Sequence, residues 1–242
     1  RERFAECYDI LNKCLTEEIF DYQGKFYDLK AVSVWPKPLQ NPLPIWMPAG
    51  SSETIEFAAE RHIPIARVWN PTVVFQDAFE YYKEVAKEQF GWEAGPEQCI
   101  GSRYIHVAET TEQAIEECRA AVMYVRRLST FSRPVQVPAP VPGLQTDRSY
   151  DYRKRSKGAE MPGPGTPFEK LRESGYIVCG DPDYVTDWLA NDMETAGYGH
   201  FMGMFRVGSN SHENVIKSKN LFAEHVMPKL KHINEAAPAA TV

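Results

Sequence analysis

The fold is decided by the stretch Met47-Pro-Ala-Gly-Ser-Ser-Glu-Thr-Ile-Glu-Phe-Ala-Ala-Glu60, where an apolar run stops at a Gly-Ser-Ser turn and passes directly into a helix-like segment. The residues before the turn are typical of a short buried strand, and those after it of an amphipathic helix. A strand, a turn and a helix N-terminus together leave backbone N–H groups and hydroxyls pointing one way, which favours binding of an anion. The candidate ligand is a phosphate group.

The predicted phosphate site consists of Gly50, Ser51, Ser52 and Thr54. Glycine lets the backbone approach a ligand closely, and the helix dipole favours negative charge. The hydroxyls of Ser51, Ser52 and Thr54 could add hydrogen-bond donors. An ordinary turn with a serine N-cap explains the same residues, and the sequence alone leaves both interpretations open.

Strand and helix patterns alternate along the rest of the chain. Strands are predicted at 45–49, 63–69, 103–109 and 200–206, and helices at 53–61, 76–90, from Thr110 onward, 181–197 and 212–230. A leading helix at 1–15 and a hairpin around Gln23-Gly24 precede them. Repeated strand–helix units predict an α/β fold with a parallel sheet. Only four units are present, whereas a closed eight-unit barrel normally takes about 250 residues.

The segment 133–167 interrupts this alternation. It is rich in proline and glycine and holds the basic run Arg153-Lys-Arg-Ser-Lys157. Such composition predicts an irregular loop or lid. The basic run is either a solvated surface or a group that closes over an anionic cofactor or substrate.

Further candidate site residues lie on the predicted strands. Trp69 ends the second strand, where an indole could stack on a planar ligand. Arg67 lies two residues earlier, on the same face of that strand, and could contact an anion. Tyr104 and His106 share one face of the third strand, and a histidine can serve as acid or base near neutral pH. Each has a structural alternative, as a core or rim residue.

Composition narrows the function classes. The chain has 242 residues and a formal net charge of −6, which argues against nucleic acid as a partner. No apolar run is long enough for a membrane span, so we expect a soluble, cytoplasmic protein. Its five cysteines form no Cys-x-x-Cys pair, and no metal site is expected. The P-loop, Rossmann and nucleophile-elbow motifs are absent from the sequence.

Several segments together resemble the bacterial luciferase-like family of flavin-dependent monooxygenases. They are Arg1-Glu-Arg-Phe-Ala-Glu6, Tyr22-Gln-Gly-Lys-Phe-Tyr27, Val34-Trp-Pro-Lys-Pro-Leu-Gln40, Pro44-Ile-Trp-Met-Pro-Ala-Gly-Ser-Ser52, Val107-Ala-Glu-Thr110 and Gly180-Asp-Pro182. The resemblance implies one domain over 1–242 with a (β/α)8 TIM-barrel fold, of which this chain holds about the second half. A half barrel would expose two sheet edges, so we expect this chain to be a fragment, a processed chain or one piece of a paired assembly, in which a partner segment or a homo- or hetero-oligomer supplies the other half.

The resemblance also implies a cofactor site. The family places its flavin phosphate on the loop after the fifth barrel strand, which Gly50, Ser51, Ser52 and Thr54 match. Trp69 matches an aromatic position beside the flavin, at the end of the sixth barrel strand. Tyr104 falls where related sulfonate monooxygenases have an active-site histidine, and His106 is a possible substitute.

The activity implied is oxygenation of a small organic substrate by O2 and reduced FMN, which a separate flavin reductase supplies. A deazaflavin-dependent dehydrogenase of the same fold is an alternative, as is a non-catalytic flavin-binding subunit. A barrel that binds sugar phosphates and has no preference for flavin is a third.

Overall fold

The computed structural model describes residues 1–131, 148, 162 and 165–233. They form two compact units, Arg1–Ile45 and Trp46–Val242. The predicted loop 133–167 therefore lies outside the described residues, apart from 148, 162 and 165–167.

The first unit joins a helix to a hairpin. It contains α1 (Glu2–Thr16), β1 (Phe20–Gln23) and β2 (Asp28–Val32), and the two strands pair antiparallel. The Glu6 carboxylate accepts hydrogen bonds from the backbone N–H groups of Lys25, at 2.7 Å, and of Tyr27, at 3.2 Å. One helix carboxylate thus fixes the hairpin turn, and the predicted helix and hairpin are confirmed.

The second unit is a parallel sheet with helices. Its elements are β3 (Met47–Pro48), α2 (Ser52–Glu60), β4 (Ile65–Val68), α3 (Thr72–Phe90), β5 (Cys99–Val107), α4 (Thr111–Phe131), α5 (Phe168–Glu173), β6 (Ile177–Gly180), α6 (Pro182–Ala196), β7 (His200–Met204), α7 (His212–Leu221), a π-helical turn (Phe222–Val226) and α8 (Met227–Leu230). The predicted alternation is confirmed, while α5 and β6 were not predicted. The final helix, predicted as continuous, contains the π-helical turn.

The long strand β5 organises the sheet. Its residues 100–102 pair in parallel with both β4 and β7, so these two strands occupy opposite edges of β5. Tyr104 pairs with both Ile177 of β6 and Met204 of β7. Strand β6 therefore continues the β4 edge beyond the point where β4 ends. Strand β3 adds to the other side of β4.

The two faces of this sheet differ. Residues in register across parallel strands share a face. One face carries Val68, Ser102, Tyr104, Met202 and Met204, and the other carries Ile65, Arg67, Cys99, Gly101 and Arg103.

The first face is concave. The ring of Trp46, next to β3, contacts the ring of His200 on β7 at 5.1 Å. These two strands are three strand spacings apart in the sheet, which is roughly 14 Å if flat. Their contact shows that the sheet curls as part of a barrel would.

The opposite face holds a buried charge. Arg103 is fully buried, and its guanidinium donates to both carboxylate oxygens of Asp192 on α6, at 3.0 and 2.7 Å. Asp192 also accepts from the Thr72 hydroxyl at 2.5 Å and the Tyr198 hydroxyl at 2.6 Å. Gly101 makes room for this network, because a Cβ there would lie 2.4 Å from the Tyr198 ring.

The Arg103–Asp192 pair is expected to stabilise the fold. Asp192→Asn removes one charge and leaves the other buried, so we expect the free energy of unfolding in urea to fall by about 3–5 kcal/mol. Asp183→Asn is the matched control on the same helix, because Asp183 pairs with Lys229 and its side chain is 85% exposed. Equal urea concentrations at the midpoint of unfolding for the two variants would contradict this role.

Candidate functional site

The candidate site lies at the carboxyl end of the parallel strands, where the loops after β3, β4 and β7 meet. In barrels of parallel strands this is the end that binds ligands. The first component is the Gly-Ser turn, residues 50–54, which connects β3 to α2.

The Gly-Ser turn forms the start of α2. Ser51 is the N-cap, with φ −83° and ψ 150°, and its hydroxyl accepts a hydrogen bond from the Thr54 N–H at 3.4 Å. The Ser51 and Thr54 hydroxyls share a further hydrogen bond at 2.9 Å. Ser51 and Ser52 are both buried. The predicted serine cap is therefore confirmed.

A tyrosine and a glutamate support this helix one turn further on. The Tyr81 hydroxyl donates to Glu56 at 2.6 Å. Arg148, from the predicted loop, donates to both Glu56 oxygens, at 3.1 and 2.5 Å. A cation is thus present one turn from the Gly-Ser turn, although the basic run Arg153–Lys157 lies outside the described residues.

Arg67 ties the Gly-Ser turn to the loop after β4. It is buried, and its guanidinium donates to the Ala49 carbonyl at 2.7 Å and to the Asn70 side-chain oxygen at 2.9 Å. Ala49 directly precedes Gly50. The sequence suggested that Arg67 could contact an anion, and the structure shows that the guanidinium joins two loops of the site.

Trp69 adopts a strained backbone conformation next to Asn70, which both Arg67 and Arg103 contact. Its φ is +54°, in the left-handed region that non-glycine residues rarely occupy. Arg103 donates to the backbone carbonyl of the next residue, Asn70, while Arg67 holds the Asn70 side chain. Strain of this kind costs about 1–3 kcal/mol and persists only where the surroundings hold it.

The indole of Trp69 forms an aromatic wall with Tyr104. The two rings are stacked, with centroids 5.3 Å apart and an angle of 5° between their planes. The indole N–H donates to the Met204 sulfur at 3.2 Å, which links β4, β5 and β7. Trp69 is 37% exposed, so part of its ring remains available to a ligand.

Tyr104 is buried, and its phenol is neutral at physiological pH. Burial, and to a smaller extent the nearby Tyr176, raises the pKa of its phenol to about 12. The hydroxyl therefore keeps its proton at neutral pH. The Tyr104 ring also contacts the Tyr176 ring at 5.5 Å.

His106 has a different environment from Tyr104. It is fully buried, and its Nε2 lies 2.8 Å from a Glu117 carboxylate oxygen on α4. Its Nδ1 has no hydrogen-bond partner among the described residues. The structure thus brings Gly50, Ser51, Ser52, Thr54, Arg67, Trp69 and Tyr104 to one end of the sheet but gives His106 no exposed surface.

Sequence reasoning missed Asn70, Met204 and Arg103 as parts of this site. Asn70 directly follows Trp69 and could have been found as a loop residue at a strand end. Arg103 and Asp192 are 89 residues apart in the sequence, and no local pattern connects them.

Among the described residues, no helix is long and apolar enough to cross a membrane. That part of the chain also contains no group of three or more His, Cys, Asp or Glu side chains placed to hold a metal ion.

Curated relatives of this chain are alkanal monooxygenase chains. It is 27% identical over 239 residues to the alkanal monooxygenase alpha chain of Photobacterium leiognathi, which covers 96% of this chain and 64% of that protein. It is 29% identical over 124 residues to the alkanal monooxygenase beta chain of Photorhabdus luminescens, which covers 50% of this chain and 38% of that protein. The chain thus spans less than two thirds of the length of these relatives.

Solved structures share its fold. Monooxygenase RslO1 from Streptomyces bottropensis matches with a TM-score of 0.67 and 20% identity, over 93% of this chain and 60% of that one. The FMN complex of the oxygenating constituent of 3,6-diketocamphane monooxygenase, from Pseudomonas putida, matches with a TM-score of 0.59 and 18% identity. That match covers 93% of this chain and 62% of the other. The coenzyme F420 dependent tetrahydromethanopterin reductase of Methanopyrus kandleri matches with a TM-score of 0.63 and 18% identity. That match covers 95% of this chain and 63% of the other. At these identities the likeness establishes the fold.

The sequence profile of the family described as "Luciferase-like monooxygenase" matches residues 1–200. That match covers most of the chain, and the fold agrees with it. The resemblance inferred from the sequence is thereby confirmed, and the chain belongs to the luciferase-like monooxygenase family.

Proposed function

We propose that this chain forms the flavin-binding part of a monooxygenase that inserts one oxygen atom from O2 into a small organic substrate. The observation that carries the proposal is the joint placement of the Gly-Ser turn and Trp69, which Arg67 connects through Ala49 and Asn70. A flavin mononucleotide has a phosphate at one end and a planar ring at the other. The Gly-Ser turn matches the phosphate, and Trp69 matches the ring.

The residues present fit such a cofactor. The start of α2 has the helix dipole and the kinds of group, backbone N–H and hydroxyl, that suit a phosphate. The partly exposed indole of Trp69 offers a planar surface to a ring system. Bound reduced FMN would supply the reaction with O2, and a separate flavin reductase would supply the reduced FMN.

The protein's own residues would bind the cofactor and orient it. Arg67 would act on the cofactor by holding the Ala49 carbonyl, and therefore the backbone that leads into Gly50. Tyr104 would support the indole and present a neutral phenol. We assign no proton transfer to His106, because its imidazole has no exposed surface.

We also propose that further strands complete the sheet. Among the described residues, β3 pairs only with β4, and β7 pairs only with β5. Free edges of this kind are normally covered. The cover would be another segment of the same polypeptide or a homo- or hetero-oligomeric partner, and two of the curated relatives are named as alpha and beta chains.

A deazaflavin-dependent dehydrogenase is the second candidate, because one structural relative is named as an F420-dependent reductase. It would move a hydride and use no O2. Oxygen consumption that depends on reduced FMN and substrate would favour the monooxygenase, and turnover without oxygen uptake would favour the dehydrogenase. Flavin binding without turnover under either condition would indicate a non-catalytic subunit.

We predict that Ser51→Ala weakens FMN binding about tenfold, because the phosphate loses a hydrogen bond to a charged group. Riboflavin, which lacks the phosphate, should bind the variant as it binds the original chain. Fluorescence titration with both flavins measures this. Ser211→Ala is the control, since Ser211 caps α7 by accepting from the Asn214 N–H and its loss should leave the preference for FMN unchanged.

We predict the complementary result for Trp69→Ala. In the proposed orientation the indole would contact the flavin ring and not the phosphate, so binding of FMN and riboflavin should weaken by the same factor in the same titration. Trp92→Ala is the control, because the Trp92 indole N–H donates to the Ala59 carbonyl away from the strand ends. A loss confined to FMN would place the phosphate, not the ring, at Trp69 and contradict the proposed orientation.

A further inference from the structure

Three aromatic rings form a continuous series that begins at the candidate site. The Trp69 indole is stacked on the Tyr104 ring, with centroids 5.3 Å apart and an angle of 5° between the planes. The Tyr104 ring in turn contacts the Tyr176 ring, with centroids 5.5 Å apart and an angle of 55°. Trp69 directly follows β4, Tyr104 lies on β5, and Tyr176 directly precedes β6. The aromatic series Trp69–Tyr104–Tyr176 thus joins three paired strands.

The aromatic series runs from the site into the protein interior. Trp69 is 37% exposed, whereas Tyr104 and Tyr176 are 7% and 8% exposed. Both tyrosines belong to one buried cluster with Phe168 and Leu171. A reactive species formed at the site would therefore meet the indole first, and the two phenols lie behind it.

The surroundings of Tyr176 decide what form an oxidised ring would take there. The Tyr176 N–H donates to the Leu171 carbonyl at 2.9 Å, and the Arg126 guanidinium lies 4.9 Å from the ring centroid. A cation over an aromatic face favours a neutral ring over a positively charged one. Neither the Tyr104 nor the Tyr176 hydroxyl is hydrogen-bonded to a described residue. Oxidation of either phenol would therefore give a neutral radical, with its proton released to water.

Contact between aromatic rings allows single electrons to pass between them, because their π orbitals overlap. An oxygen-centred radical would take the hydrogen atom of the Trp69 indole N–H, becoming a hydroxyl compound and leaving an indolyl radical. Near neutral pH a phenol is easier to oxidise than an indole. Tyr104 would therefore return one electron to the indole and release its phenol proton to water, while the indole nitrogen takes a proton from water. Tyr176 would reduce the Tyr104 radical by the same exchange.

We propose that Trp69, Tyr104 and Tyr176 conduct one-electron oxidations from the candidate site into the protein interior. The oxidant is an oxygen-centred radical, and its reduction through the aromatic series would protect the groups that line the site. That O2 chemistry at the site supplies this radical rests on the proposed function. The transfer between the three rings does not depend on it.

The test is pulse radiolysis of the full chain with azide radicals, which become azide anions by taking one electron from accessible indoles. Time-resolved absorption follows the decay of indolyl radicals and the rise of tyrosyl radicals. We expect a tyrosyl rise whose rate is independent of protein concentration, and we expect it to be lost in Trp69→Phe and in Tyr104→Phe. In Tyr176→Phe the radical should remain on Tyr104, which changes the electron paramagnetic resonance spectrum of the freeze-quenched chain.

Two variants serve as matched controls and should leave the tyrosyl rise unchanged. Trp35→Phe removes an indole that is 63% exposed but contacts no aromatic ring of the described residues. Tyr82→Phe alters a second Trp–Tyr pair, since the Tyr82 ring contacts the Trp92 ring at 5.9 Å. Tyr82 is fully buried and its hydroxyl donates to the Ile63 carbonyl at 2.9 Å, so its proton cannot pass to water.

Three results would overturn the proposal: no concentration-independent tyrosyl rise in the original chain, an unchanged rise in Trp69→Phe or Tyr104→Phe, or an equal loss in Tyr82→Phe. An unchanged resonance spectrum in Tyr176→Phe would end the series at Tyr104 and contradict transfer into the interior. Failure of the proposed function would look different. Transfer that depends on Trp69 and Tyr104, in a chain that shows no preference for FMN, would keep the series and remove the flavin assignment. The reverse combination would keep the flavin and remove the series.

Discussion

The arrangement of the site depends on one buried charge, the guanidinium of Arg103. A fully buried cation must be paired and hydrogen-bonded, and Asp192 supplies both oxygens for this. Arg103 also donates to the Asn70 carbonyl, so it reaches from the outer helix α6 to the loop after β4. Helix packing on one face of the sheet thereby fixes a loop whose aromatic side chain lies on the other face.

Trp69 shows the consequence of that constraint. A tryptophan with φ +54° is strained, and such strain persists only where the surroundings hold the backbone. With the backbone of Asn70 held by Arg103 and its side chain by Arg67, the indole is directed onto Tyr104 and Met204. The strain is located where a ligand ring would bind, which is a common place for it.

The sequence predicted the local features well, for physical reasons. The Gly-Ser turn, its serine cap and the alternation of strand and helix all depend on residues a few positions apart. The family resemblance added the partial barrel, which no local pattern could give. The parity of Tyr104 and His106 on β5 also followed from the strand period, and both lie on the same face.

What was missed depends on distant contacts. Strand β6 has four residues and follows the loop region, so its apolar run was too short to identify. Arg103 was placed at the start of a strand predicted at 103–109, whereas the strand begins at Cys99 and buries it centrally. The pairing of His106 with Glu117 brings a buried imidazole together with a helix residue, and nothing in the spacing indicated it.

The central claim is that the phosphate of FMN binds the Gly-Ser turn while the flavin ring contacts Trp69. The most direct measurement is an NMR titration of the isotope-labelled chain with FMN and with riboflavin, following backbone amides and indole N–H signals. The account predicts that FMN shifts the amides of Gly50, Ser51 and Ser52, that riboflavin does not, and that both shift the Trp69 indole. Amide shifts in this turn with riboflavin as large as those with FMN, or indole shifts absent with both, would contradict it.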